Sequence, residues 1–377
     1  RKECAVFHPF TRSALVVLTA GCLALPSAAQ VLPSAPNKLG LKDVFDLEWA
    51  ADPQISPDGQ QIVFVRSGFE VMTDGTRSSL WIINADGTSL RALSEPGKRA
   101  GSPRWSPDGT RLIYRSRAED GAQIFVRWMD TGQEAVLSHL PEAPGSFAWS
   151  PDGTAIAFTM FVPETPKPLV ELPSPPEGAD WGPPIRYIDQ LNYRADGEGY
   201  LRTGRTHIFV LPAEGGTPRQ LTDGPFDDGA PRWTPDGSAI IFGGNRHPAS
   251  DYQPADGEIY EVSLTTGAVR PLTDRRGPDS DPAVSPDGKL IAYLGYDDLF
   301  QGYQVPRLYL MNRDGSGRRL LSGSLDRDVA QPTWSQDGKG LFLQYDDQGD
   351  SKVAYLSLTG ELQDLASGLG GLDLGRP

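Results

Sequence analysis

The sequence predicts an all-β fold, a β-propeller of four-stranded antiparallel blades, with six blades present and the start of a seventh. Three observations predict it. A Ser-Pro-Asp-Gly turn recurs at Ser56–Gly59, Ser106–Gly109, Ser150–Gly153 and Ser285–Gly288, with variants at Thr234–Gly237 and Ser335–Gly338. The first residues of these turns are separated by 50, 44, 84, 51 and 50 positions, a period that matches one propeller blade. An alternating apolar stretch follows each turn, such as Leu112-Ile113-Tyr114, and a Trp usually precedes it (Trp105, Trp149, Trp233, Trp334).

The turn has its own logic. Proline presets φ at the second position, Asp tolerates the third, and Gly takes the left-handed conformation that carries the chain into a hairpin. A four-stranded blade is apolar on both faces, so it is buried only by stacking against neighbours around an axis. The recurrent Trp is expected to fill those inter-blade layers.

Taken from the N-terminus, Arg1, Lys2 and Arg12 precede the apolar run Ala14–Leu25, and Ser27-Ala28-Ala29 follows. This is the pattern of a secretory signal peptide over 1–29, too short for an ordinary membrane span. Lipidation at Cys22 is disfavoured, because Leu18 stands one place too far from it. Cys4 and Cys22 are the only cysteines, so the exported chain would carry none, which excludes thiolate metal sites and a Cys nucleophile. The expected location is the periplasm of a Gram-negative bacterium or the exterior.

Residues 30–52 form a lead-in, with a short helix expected over Lys42–Ala50. Blades one to six occupy 53–366, and 367–377 begins a seventh. Blade three is interrupted by an insertion, 161–205. Its first part, Phe161–Ile185, holds eight prolines in 25 residues and should run extended over the surface. Its second part, RYIDQLNYRADGEGYLRTGR over Arg186–Arg205, is dense in Tyr, Arg, Asp and Glu.

The blade phase sorts the loops. First–second and third–fourth connections emerge on one face and are all tight turns. Second–third and blade-to-blade connections emerge on the other, where Gly68–Ser78, Phe161–Arg205, Gly243–Gly257 and Gly295–Val305 are long. Function is expected on that second face.

Net charge is −14, with six of the acidic residues belonging to the repeated turn, so much of the acidity is fold chemistry and need not mark a binding patch. It argues against a nucleic-acid partner. No Gly-x-Ser-x-Gly, His-Glu-x-x-His, phosphate-binding loop or calcium loop occurs. His139, His207 and His247 are isolated, and His207 is read as structural. Asp279–Asp281 and Asp297-Asp298 are short acidic runs read as solvated. No catalytic residue, metal site or cofactor is expected in this chain.

The stretches PQISPDGQQIVFVR (Pro53–Arg66), SPRWSPDGTRLIYRS (Ser102–Ser116) and FAWSPDGTAIAF (Phe147–Phe158) resemble the N-terminal propeller of prolyl-oligopeptidase-family serine peptidases. YIDQLNYRADGEGYLRTGRTHIFVL (Tyr187–Leu211) and GGTPRQLTDGPFDD (Gly215–Asp228) point to its dipeptidyl-peptidase and acylaminoacyl-peptidase branch. The resemblance implies a propeller truncated before an α/β-hydrolase domain that carries the Ser, Asp and His. It implies a lid that limits substrates to short peptides, with that missing domain as partner on the long-loop face. Tyr193, Arg194, Glu198 and Tyr200 are the substrate-facing candidates, since an exposed carboxylate suits a peptide's free amine. The alternative is a complete six-bladed periplasmic binding propeller similar to TolB, which assembles with other envelope proteins.

Overall fold

The computed structural model describes residues 40–95, 97, 99–165, 170, 173–182 and 186–369. The signal-peptide expectation and most of the seventh-blade expectation fall outside them. The chain divides into a unit of residues 1–44 and a unit of residues 45–377, and the second holds the propeller. Asp43–Asp46 make one turn of 3-10 helix in place of the expected helix. That helix stops because Glu48 and Trp49 already pair with the next strand, opposite Gly68 and Ser67.

Six four-stranded antiparallel sheets follow. Blade one is β1 (Glu48–Ile55), β2 (Gln61–Glu70), β3 (Gly75–Asn84) and β4 (Arg91–Ala92). Blade two is β5 (Gly101–Trp105), β6 (Arg111–Ala118), β7 (Gly121–Trp128) and β8 (Glu134–Val136). Blade three is β9 (Pro144–Trp149), β10 (Ala155–Pro163), β13 (Gly204–Pro212) and β14 (Arg219–Gln220). Within it, the insertion forms a separate hairpin, β11 (Arg194–Ala195) and β12 (Gly199–Tyr200). Blade four is β15 (Arg232–Trp233), β16 (Ala239–Gly244), β17 (Glu258–Ser263) and β18 (Val269–Pro271). Blade five is β19 (Asp279–Val284), β20 (Leu290–Gly295), β21 (Arg307–Asn312) and β22 (Arg319–Leu320). Blade six is β23 (Val329–Trp334), β24 (Gly340–Asp347), β25 (Asp350–Ser357) and β26 (Leu362–Ala366). Each blade is built from strands in chain order, with only the β11–β12 hairpin intervening in blade three, and among the described residues no strand from one end completes a blade at the other.

The repeated turn is held the same way in each blade. In blade two, Gly109 N–H donates to Ser106 O at 2.9 Å, and Ser106 Oγ donates to Asp108 Oδ1 at 2.6 Å while accepting from Arg111 N–H at 2.9 Å. The turn glycines all sit near φ +70°, Gly109 at 72° and Gly237 at 68°, where a side chain is strained. These bonds hold the Asp108 carboxyl down at about 2, with Ser106 the largest cause.

Five buried clusters fill the five junctions between successive blades. Each Trp does two things there. Its ring fills the layer, and its indole N–H donates across the junction to the preceding inner strand. Trp105 bonds Gln54 O, Trp149 Arg104 O, Trp233 Ala148 O and Trp334 Ala283 O, at 3.1, 3.1, 3.0 and 2.9 Å. Among the described residues no cluster joins blade six to blade one.

Two further repeats accompany the turn and the Trp. Phe64, Tyr114, Phe158, Phe242 and Tyr293, each the eighth residue after the turn's first, pair across the sheet with Trp81, Phe125, Phe209, Tyr260 and Tyr309. Four of these pairs stack with centroids 5.5–5.6 Å apart, adding to the burial they already contribute. In blade six the aromatic stands one residue earlier, as Phe342 opposite Tyr355. A one-residue shift turns a side chain to the other face, and Phe342 is 40% exposed. Second, a Leu-Ser or Leu-Thr pair ends five blades, its hydroxyl accepting the N–H of Leu80, Ile124, Ile208, Ile259 or Leu308 at 2.8–2.9 Å.

Candidate functional site

The loop face is less uniform than the sequence suggests. Gly68–Ser78 is no long loop: β2 and β3 run on to Glu70 and Gly75 and leave only a tight turn, because Gly68 pairs Arg77 and Phe69 pairs Thr76. Blades two and six close equally tightly, at Glu119-Asp120 and Gln348-Gly349. Long second–third connections therefore belong to blades three, four and five alone.

Three of the chain's loops converge where blades three and four meet. The end of the insertion, the connection over 222–231 and the connection over 245–257 enclose a cavity of about 1040 Å³. Phe161, Tyr200 and Phe226 give it aromatic walls, and Glu198, Arg202, Arg205, Asp227, Asn245 and Asp251 bring polar groups to it. Gly204, at the start of β13, sits at φ +145° with Val162 O where a Cβ would lie, so only glycine lets the insertion return to the sheet here.

Both arginines of the cavity are already neutralised. Arg202 forms a fork with Glu142, Nη1–Oε2 2.9 Å and Nη2–Oε1 2.5 Å, and covers the Phe161 ring at 4.8 Å. That contact keeps the Glu142 carboxyl below its ordinary range. Arg205 lies 3.6 Å from Asp227, which also accepts the Thr206 N–H at 2.7 Å. Glu198 and Asp251 have no ion-pair partner among the described residues, so the uncompensated charge on the walls is negative.

Of the four residues singled out from the sequence, Glu198 and Tyr200 line the cavity, whereas Tyr193 and Arg194 do not. The hairpin of β11 and β12 nonetheless gathers three of them. Tyr193 and Tyr200 lie 6.1 Å apart between ring centroids, and the Arg194 guanidinium is 6.0 Å from the Tyr200 ring. Arg186, which the sequence reading passed over, stacks on the same ring at 3.7 Å. Tyr193 and Tyr200 are both about half exposed.

Behind the cavity, His207 is buried and structural. Its Nδ1 lies 3.2 Å from Asp228 Oδ2, and Arg246 Nη1 donates to Asp228 Oδ1 at 2.7 Å. Arg246 also donates to Asp223 O at 2.5 Å and covers Phe226, so the strut fixes the loop that forms one wall. Asp228 has no neighbour in the sequence to announce this role. Its partners come from β13 and the end of β16.

A second buried polar group lies between blades four and five. Asp279 and Asp281 do not converge: Asp279 is buried against Arg275, and Asp281 is exposed. Glu258, buried at the start of β17, faces His247 Nε2 at 3.8 Å. Burial lifts the Glu258 carboxyl to about 7, the Thr273 hydroxyl opposing and Asp279, Asp256 and Asp274 adding to the rise. Burial likewise lifts Asp279 to about 6 against the pull of Arg275. His247 Nε2, Glu258 Oε2, Arg275 Nε and Asp279 Oδ2 are the buried side-chain atoms without a hydrogen-bond partner among the described residues, and all fall in this one place. No group of three metal-ligating side chains occurs among the described residues.

With the fold and cavity in view, comparison with known proteins is direct. Residues 199–371 match a family model described as the TolB beta propeller domain, PD40. The uncharacterized peptidase YuxL of Bacillus subtilis is 27% identical over 334 residues, 84% of this chain and 50% of YuxL. Dipeptidyl-peptidase 5 of Porphyromonas endodontalis is 27% identical over 276 residues, 68% of this chain and 38% of that protein. The chain is a relative of the propellers of these peptidases. It spans half the length, or less, of each. Among solved structures, the acylaminoacyl peptidase of Pyrococcus horikoshii superposes with a TM-score of 0.66 at 18% identity, over 87% of this chain and 47% of that one. That likeness speaks for the propeller fold. The resemblance carried by the blade motifs thus holds, and the PD40 match spans blades four to six together with the return of blade three.

Proposed function

We propose that this propeller is the non-catalytic, substrate-gating part of an exported serine peptidase acting on short peptides. In this reading the loops of blades three to five face the catalytic domain, and a neighbouring α/β-hydrolase supplies the nucleophile. The observation that carries it is the cavity at blades three and four. It is aromatic-walled, it is enclosed by long loops with the adjoining ends of β10 and β13, and Glu198 and Asp251, without an ion-pair partner among the described residues, suit a peptide's terminal ammonium. The relatives named as peptidases support it, as does the signal-peptide pattern of the sequence over 1–29. No helix among the described residues is long and apolar enough to cross a membrane.

The test is a calorimetric titration of a short peptide against its N-acetylated form. A free amine should strengthen binding about tenfold, a value typical of one charge-assisted hydrogen bond, and E198Q should abolish the difference. Equal binding of the two peptides ends this reading of the cavity. The product of the whole gene should hydrolyse a dipeptidyl chromogenic substrate. A product without hydrolysis that instead captures envelope proteins favours a TolB-like binding propeller, a reading that the family match over 199–371 supports.

A further inference from the structure

The six inner strands β1, β5, β9, β15, β19 and β23 surround the propeller axis. One residue before the repeated turn stands the Trp or its substitute, directed to the junction. The residue before that is turned the other way by strand alternation, toward the axis. In blade order these axial residues are Gln54, Arg104, Ala148, Arg232, Ala283 and Thr333. Two are arginines, on blades two and four, with the alanine of blade three between them.

The two arginines are not equivalent. Arg104 is committed to Asp52 of blade one, Nη1–Oδ2 2.9 Å. Arg232 has no hydrogen bond or ion pair among the described residues, although Asp281 lies close enough to attract it. Burial lowers the Arg232 pKa, repulsion from Arg104 lowers it further, and Asp281 offsets these in part. Yet Arg232 is exposed to water. Arg232 is thus an exposed guanidinium without a partner among the described residues, carried on the inner strand of blade four.

The backbone is shaped around the same place. Asp52, Ser102, Asp281 and Gln331, each just before a Pro, take φ of 48°, 55°, 49° and 52° at bulges of their inner strands. Left-handed conformations at non-glycine residues are strained, and bulges re-aim side chains. The strain is absent from blades three and four, and blade three carries Ser146 and Ala148 on its inner strand.

We propose that Arg104 and Arg232, flanking Ala148 in the axial channel, form a binding site for a carboxylate, the C-terminal carboxylate of a peptide. A carboxylate would give Arg232 the bidentate partner it lacks and would screen it from Arg104. Asp52 is taken up by Arg104, so a carboxylate ligand would compete for Arg232 only with Asp281, which forms no ion pair with it. The site lies on the axis and does not depend on the cavity between the loops.

The test uses acetyl-tetra-alanine with a free C-terminus, its C-terminal amide and succinate, each titrated calorimetrically into the whole chain. N-acetylation silences any contribution from Glu198 and Asp251. The acid should bind about tenfold more tightly than the amide, as expected for a charge-assisted fork. R232A should remove that preference. Alanine already occupies this position in blades three and five, so the fold accommodates it, and R232Q gives a second variant of near-native length. Binding of the peptide acid without succinate assigns the site to peptide ends. Binding of both extends it to any small carboxylate. Equal affinity for acid and amide, or an R232A or R232Q protein that melts like the wild type and keeps the preference, overturns the proposal.

Discussion

Replacing Trp149 by alanine should break the junction between blades two and three, and its cost follows from burial. The ring is 9% exposed and belongs to the cluster of Ile113, Ile124, Phe147 and Phe158. A tryptophan of ~220 Å² loses ~200 Å² of contact with water at that exposure, worth ~5 kcal/mol at ~25 cal/mol per Å². Compactness of the unfolded chain trims this to ~3–4.5 kcal/mol, and the lost indole bond to Arg104 O adds ~1 kcal/mol. The expected total is ~4–5 kcal/mol. W149F keeps most of the ring volume and loses the bond, so it should cost only ~1–2 kcal/mol. Urea unfolding followed by far-UV circular dichroism measures both, provided the slope with denaturant is unchanged. Ile55 and Val284 occupy the equivalent position in blades one and five, so the staple is dispensable for forming a blade. The loss in W149A must therefore fall on the junction. A W149A cost below ~1.5 kcal/mol, or a W149F cost equal to that of W149A, refutes this account of the repeated tryptophan.

Two pH dependences follow from the charged groups. Asp108 is held near 2 against an ordinary 3.8, so its stabilisation is present above pH 3.8 and lost as pH falls toward 2. D108N should lower the melting temperature at neutral pH and flatten its fall below pH 4, by thermal denaturation across that range. Glu258 moves oppositely: raised from 4.5 to about 7, its contribution is full below pH 4.5 and lost as pH rises through 7. Asp279, Asp256, Asp274, His247, Arg275 and Thr273 face it, and E258Q should flatten the decline in melting temperature that the wild type shows as pH rises from about 4.5 to 7. An E258Q protein that still declines in parallel with the wild type assigns the effect to another group.

The blade count, the position of each turn and the sorting of loops between two faces were legible because each depends on local chemistry repeated at a fixed period. Ser106, Pro107, Asp108 and Gly109 specify their turn by themselves, and five more copies supply the register. The aromatic at the eighth position and the closing Leu-Ser or Leu-Thr were equally periodic, and alignment of the six copies on their turns would have exposed them. Less legible was the reach of β2 and β3. Gly68 pairs Arg77 and the ladder runs on to Glu70 and Gly75, and no turn signature marks Val71–Asp74 as strongly as the repeat marks its own.

The sequence by itself determined the propeller, since a two-faced apolar blade has no other way to bury both sides than to stack. It also located the insertion of blade three and four of its residues, because a break of 84 in a period near 50 is visible without coordinates. Only the tertiary structure decided which of those residues share a cavity. Glu198 and Tyr200 meet Phe226 and Asp251 across two blades, and their separation along the chain reflects loop closure on a rigid sheet. Only the tertiary structure could set Arg104 against Arg232. They lie 128 residues apart in sequence (232 − 104), and the stacking of blade three between blades two and four puts both on inner strands one blade apart.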